Sequence, residues 1–246
     1  MHPDTPLNPM LLLFDIDGTL LQRASGEHAT ALITAIEQVH GVDLSAARLE
    51  GSAAGRTDGE IARLQLLAAG VSAARIDARA QAVRDACCRI YAELCPPDLT
   101  AKVVPGIPEL LESLSTSGAW HLALVTGNFE PVARRKLRAA GLSRWFAPGQ
   151  GGFGSDAEDR TALPPIARRR AGQAAGLMRS WPRERTLVIG DTPRDIACAR
   201  ADGLRCIAVT TGPHAREELL DADAVAERTD ELGAAIAALG AGERGL

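Results

Sequence analysis

Met10-Leu11-Leu12-Leu13-Phe14-Asp15-Ile16-Asp17-Gly18-Thr19 joins an apolar run to two acids and a turn. Five apolar residues closed by two carboxylates and a Gly-Thr pair predict a buried parallel strand that stops at a polar site. Asp15 and Asp17 are two apart, so along an extended strand they share a face. Gly18 permits a tight turn, and the Thr19 hydroxyl can fasten it. In open α/β sheets, ligands bind where strands end at their carboxyl edge. Two acids there can hold a hard divalent metal and leave one carboxylate for chemistry.

Two further segments repeat this pattern of apolar strand and polar turn. Leu122-Ala123-Leu124-Val125-Thr126-Gly127-Asn128 ends on a hydroxyl and a glycine, and Pro131 stands in the first turn of the helix that follows. Thr126, the amides beside Gly127, and Asn128 are suited to grip phosphate oxygens. The third segment is Thr186-Leu187-Val188-Ile189-Gly190-Asp191-Thr192-Pro193-Arg194-Asp195. Thr192 as N-cap and Pro193 at the first helical position start a helix there. Asp191 at the strand end and Asp195 in the first helical turn can then face one site.

Between the first strand and residue 95 only helical patterns occur. They cover 25–40, with apolar Leu32, Ile33, Ile36 and Val39 and a stop at Gly41, then 58–69, then Ser72 to about Leu94, where Pro96-Pro97 break the run. From Pro105 onward helix and strand alternate. Strands are expected at 120–125, 149–154, 186–190, 204–209 and 223–226. Helices are expected near 106–117 and 131–140, after Pro164-Pro165, and at 193–202, 214–220 and 229–239. Such alternation predicts an α/β fold, a Rossmann-like parallel sheet covered by helices on both faces. The core takes 1–22 and 100–246, and 23–99 form an inserted α-helical cap, hinged near 20–24 and 98–105. A lid of this kind excludes water and completes a site on closure. The tail Gly240–Leu246 is expected to fray.

Together the three segments resemble the haloacid dehalogenase-like superfamily of phosphohydrolases. Within it they resemble the helical-cap phosphatases, such as phosphoglycolate phosphatases and β-phosphoglucomutase-like enzymes. The resemblance spans the chain and implies a Mg²⁺-dependent phosphatase that hydrolyses a small phosphomonoester. A sugar phosphomutase is the alternative, and a non-catalytic phospholigand-binding protein a remote one. By this resemblance Asp15 attacks phosphorus and forms an aspartyl-phosphate. Asp17 protonates the departing alkoxide, then takes a proton from the attacking water. The metal is held by Asp15, the backbone carbonyl of Asp17, Asp191 and Asp195. A dehalogenase does not call for an acid at position 17. A phosphonatase needs a cap lysine, and residues 23–99 contain none.

Relatives place a lysine before the third motif, bridging nucleophile and phosphate. The lysines of this chain are Lys102, ahead of the second motif, and Lys136, in the helix after it. Neither is in place for that role. Arg160 is the expected replacement, since an arginine supplies the same charge and a bidentate grip on phosphate. The triplet Arg168-Arg169-Arg170 reads as a solvated helix face. Gly55-Arg56-Thr57-Asp58 resembles a loop that relatives aim at the leaving group. Arg56 is expected to touch substrate and Asp58 to cap the next helix. His28, His40, His121 and His214 lack metal-ligand spacing and read as structural or exposed, and Met178 and the tryptophans as packing residues.

A net charge of -4 and only one Tyr, four Phe and three Trp argue against nucleic acid or an anionic membrane as partner. The expected partner is a small phosphorylated metabolite. Five cysteines with no C-x-x-C pair read as reduced thiols. Met1–Pro9 shows no signal-peptide pattern, and no run approaches the ~18 apolar residues of a membrane span. A cytoplasmic location is therefore expected.

Overall fold

A computed structural model describes residues 9–45 and 51–241. The readings of residues 1–8, of residues 46–50 and of the tail past Ala241 lie outside these residues. Among the described residues three helices follow the first strand: α1 (Gly26–His40), α2 (Asp58–Ala68) and α3 (Ala73–Leu94). They share an apolar cluster in which Leu32, Ile36, Leu66, Val83, Cys87 and Tyr91 are buried. Phe129 and Val132, from the sheet-forming part of the chain, complete that cluster and tie the helical layer down. The chain enters and leaves this layer side by side, through an antiparallel bridge between Leu21 and Val103.

The sheet has six parallel strands: β1 (Met10–Phe14), β2 (Trp120–Thr126), β3 (Gly152–Phe153), β4 (Thr186–Gly190), β5 (Arg205–Val209) and β6 (Ala224–Ala226). Their order is β3-β2-β1-β4-β5-β6, with Leu12 of β1 in register with Leu122 and Leu187. Because β1 lies between β2 and β4, the winding reverses at its edge, which opens a crevice at the carboxyl ends. Every residue of β1 is buried, as a strand covered on both faces must be. Leu12 and Phe14 pack towards α4 (Ile107–Thr116), α5 (Glu130–Ala139) and, through Ile236, α8 (Thr229–Ala241). Leu11 and Leu13 pack on the opposite face towards α6 (Leu163–Ala174) and α7 (Pro193–Ala201).

Three sequence expectations are corrected here. Residues 214–220 make only a short 3-10 turn at Arg216–Leu219, because a segment this brief between Pro213 and β6 does not repay helix nucleation. Of the arginine triplet only Arg169 is exposed, so it is not a solvated face as a whole. Arg168 is buried, with Nε and Nη2 on Asp202 at 2.7 and 3.0 Å, and Arg170 pairs with Asp156. Buried charge demands such partners. Met178 is fully exposed, whereas Trp181 is buried and packs as expected. No described helix is long and apolar enough to cross a membrane.

Candidate active site

Asp15 leaves β1 at the crevice, and its N–H donates to the Ile189 carbonyl of β4 at 2.9 Å. The chain then turns sharply, with the N–H groups of Leu20 and Leu21 both donating to the Ile16 carbonyl. Gly18 has φ +86°, and a Cβ there would overlap the Asp191 carboxylate. A Cβ on Gly212 would meet the same group. Two glycines thus make room for one buried acid.

Asp15, Asp191 and Asp195 each offer a carboxylate oxygen, all within 4.8 Å of one another. Asp195 is set by the start of α7. Thr192 donates to its Oδ2 from N (3.0 Å) and from Oγ1 (2.7 Å), while the Asp195 N–H donates back to Thr192 Oγ1. This is the reciprocal cap expected of Thr192, and it fixes an acid as well as a helix end. Thr19 Oγ1 donates to Asp191 at 3.3 Å. Burial, then the charges of Asp195 and Asp15, push Asp191 up to about 9. Asp15 is raised to about 6, chiefly by burial, with the Arg160 charge opposing. Three hard oxygen donors that repel one another in this way fit a Mg²⁺ ion, whose charge would reverse both shifts.

Arg160 opens a 3-10 turn capped by Asp159 and is buried beside this cluster. Its Nη2 lies 3.1 Å from Asp15 Oδ2 and 2.5 Å from Asp195 Oδ1. Burial works against its charge, but Asp195 and Asp15 outweigh that and raise its pKa. The structure therefore brings Arg160 to the nucleophile candidate, where the sequence departs from a lysine.

Lys136 is the residue that sequence reasoning missed. It is fully buried on α5, and its Nζ contacts both oxygens of Asp17, at 2.8 and 2.6 Å. The available signal was the spacing of Val132, Ala133, Lys136 and Leu137, which puts the lysine on the inward face of α5. Asn128 Nδ2 donates to Asp17 Oδ2 at 2.9 Å, and Ser25 Oγ to Oδ1 at 3.2 Å. Burial alone would push Asp17 up. The charges of Lys136 and His28, with hydrogen bonds from Lys136 and Asn128, overcome it and hold the carboxyl at about 2. The Asp17 side chain is thus turned to Lys136, outside the three-acid cluster.

The contacts continue into the helical layer. His28 Nδ1 lies 3.2 Å from Lys136 Nζ, and His28 Nε2 lies 3.1 Å from Asp58 Oδ2. His28 is therefore a site residue rather than a bystander. Asp58 does not cap α2: Thr57 does, its Oγ1 accepting from the Glu60 N–H at 3.0 Å. As the first helical residue, Asp58 instead accepts from the Phe129 N–H at 2.7 Å, while its own N–H donates to the Gly127 carbonyl. Gly127 is needed there, since a Cβ would strike the Arg56 carbonyl. Thr126 is fully buried, and its hydroxyl accepts from Asn128 Nδ2 at 3.2 Å.

Between the helical layer and the strand ends lies a cavity of about 630 Å³, lined among others by Asp15, Asp17, Gly127, Asn128, Arg160 and Asp191. Arg56 lines it too, but its guanidinium pairs with Glu60 and donates from Nε to the Ser52 carbonyl. The layer is held shut by Thr57 Oγ1 on the Glu158 carbonyl at 2.6 Å and by Arg84 on the Ser155 carbonyl at 2.6 Å.

Residues 12–200 match the family model described as haloacid dehalogenase-like hydrolase, and the chain belongs to that family. It is 30% identical over 217 residues to the "Probable phosphatase IndB" of Dickeya dadantii, covering 87% of this chain and 86% of the relative. It is 29% identical over 223 residues to a phosphoglycolate phosphatase of Rhodospirillum rubrum, covering 89% and 86%. In fold it is similar to a β-phosphoglucomutase of Clostridium difficile, with TM-score 0.66, 16% identity, and coverage of 95% and 97%.

Proposed function

We propose that this protein is a Mg²⁺-dependent phosphatase that hydrolyses a small phosphomonoester through an aspartyl-phosphate on Asp15. The observation that carries the reading is Asp15 at a strand end, 3.1 Å from Arg160 and grouped with Asp191 and Asp195. The phosphatase relatives support the same reading. Asp15, Asp191 and Asp195 are the residues that would hold the metal, and the ion would neutralise charge on the phosphoryl oxygens. Arg160 adds a fixed positive charge beside the nucleophile, where the equatorial oxygens of the transferring group gather. Asp17, kept ionised by Lys136, is in the form that accepts a proton from the water attacking the aspartyl-phosphate. To protonate a leaving alkoxide, as the resemblance implies, it must first gain a proton, which requires the Lys136 pair to loosen. The helical layer acts as a lid, excluding bulk water through its contacts with Glu158, Ser155 and Gly127.

The test is release of inorganic phosphate from p-nitrophenyl phosphate and acetyl phosphate, with Mg²⁺ and with excess EDTA. Metal-dependent release that is lost in Asp15→Asn supports the reading. Full activity in EDTA or in that variant contradicts it. Transfer to an added sugar without phosphate release would favour the mutase instead.

A further inference from the structure

The charges lining the cavity do not balance evenly. Asp17 is paired with Lys136, Asp58 with His28, Arg160 with Asp15 and Asp195, and Arg56 with Glu60. Arg23 also lines the cavity, and among the described residues it has no hydrogen-bond or ion-pair partner. Its backbone is unusual as well. With φ +52° it is the only non-glycine residue with positive φ among those described. A residue with a Cβ pays for that conformation, and such outliers gather where a side chain must be aimed. Arg23 is exposed at the cavity rim, while Ala24 next to it and Leu21 two residues before are buried and anchor the backbone there.

A buried, unpaired acceptor faces the same space. Gln65 lines the cavity from α2, and its Oε1 is buried with no hydrogen-bond partner. A buried acceptor left unpaired is costly unless a ligand supplies the donor. Leu32, Ile33 and Ile61 provide an apolar stretch of wall. The volume, about 630 Å³, falls within the range of drug-sized ligand sites and exceeds what a two-carbon acid fills. An anion entering a cavity that already holds several carboxylates needs a cation to meet it. Arg160 serves the phosphoryl group, so a second anion is left to Arg23.

We infer that Arg23 and Gln65 select the substrate, a phosphomonoester whose leaving group offers a hydrogen-bond donor to Gln65 Oε1 and ends in a second anion held by Arg23; this rests on the phosphatase reading above. The anion is a carboxylate or a second phosphate, the two groups a guanidinium grips bidentately.

The experiment uses the full chain with Mg²⁺ and three hexose-derived phosphomonoesters. Their far ends carry a carboxylate (phosphogluconate), a second phosphate (fructose bisphosphate) or a plain hydroxymethyl (sorbitol phosphate). The readout is kcat/KM for each anionic substrate divided by that for sorbitol phosphate, a ratio from which a general loss of folding or catalysis cancels. Wild type should favour at least one anionic substrate by about 10- to 100-fold, the range of one charge-assisted hydrogen bond. Arg23→Gln should bring the ratio near one, Arg23→Lys should retain part of it, and the distant Arg216→Gln should leave it unchanged. Gln65→Leu should lower kcat/KM for all three hexose-derived substrates more than for p-nitrophenyl phosphate, which offers Gln65 no donor; an equal loss on all four overturns the role of Gln65. The arm that shows the preference identifies the anion. Turnover of p-nitrophenyl phosphate with no anion preference, or a preference that survives Arg23→Gln, overturns the inference alone. No phosphate release from any substrate overturns the phosphatase reading and the inference with it.

Discussion

Lys136 Nζ holds both carboxylate oxygens of Asp17, at 2.8 and 2.6 Å, with none of the lysine side chain exposed. The two residues come from different motifs, Asp17 from the turn after β1 and Lys136 from α5 behind β2. The pair joins these elements and leaves Asp17 ionised at neutral pH.

This pair should behave as a buried ion pair in stability measurements. Lys136→Met leaves a mostly buried carboxylate without its cation, and breaking such a pair costs about 3–5 kcal/mol. Asp17→Asn alone strands a buried ammonium. The double variant should be more stable than the sum of the single losses predicts, with a coupling of about 1–3 kcal/mol. Urea unfolding of the four proteins checks this. Purely additive losses would mean that the contact carries no energy. The Asp17 contribution should be complete above the unfolded value near 3.8 and be lost as pH falls through about 2.

Arg160→Ala should lower kcat for p-nitrophenyl phosphate by about 10²- to 10³-fold, the usual cost of removing one preorganised charge stabiliser. Arg160→Lys should recover part of the rate, because a lysine restores the charge without the fork. Steady-state kinetics decide it. A rate near wild type in Arg160→Ala, with a crippling effect at Arg168, would move the role elsewhere.

The acid cluster makes stability depend on metal and pH together. Asp191 is raised from 3.8 to about 9, so the metal-free protein should lose stability as pH rises from about 4 to 9. A bound cation removes the cause. Mg²⁺ should therefore raise Tm more at pH 8 than at pH 5, and at about a hundred times its Kd at pH 8 the whole stabilisation is about 2.7 kcal/mol. Asp191→Asn should raise the Tm of the metal-free protein at pH 8 and abolish the Mg²⁺ increment. Thermal melts at the two pH values test both, and a Mg²⁺ effect independent of pH would contradict the cluster as the site.

What was legible in the sequence was local. The strand–turn–acid pattern at Asp15, and the Thr192 cap that delivers Asp195, are set within a few residues, so local spacing is enough to show them. The helical insert and the parallel sheet followed from runs and periodicity, although β3 shrinks to Gly152–Phe153. What escaped was long-range charge pairing. Lys136 meets Asp17 across 119 positions and Arg168 meets Asp202 across 34, and no spacing rule announces either partner. The expectation for Asp58 failed because an N–H in the turn after β2 competes for its carboxylate. Arg56 lines the cavity, but its guanidinium is paired with Glu60, a partner one helical turn away that the sequence reading did not weigh.

In the proposed reaction Asp15 carries the phosphoryl group. The direct measurement is peptide mass spectrometry after the enzyme, turning over acetyl phosphate with Mg²⁺, is quenched in acid within milliseconds. One added phosphoryl group is expected on the peptide holding Asp15, convertible to homoserine at that position by borohydride and missing in Asp15→Asn. A phosphoryl group on any other residue, or undiminished turnover in Asp15→Asn, would contradict it.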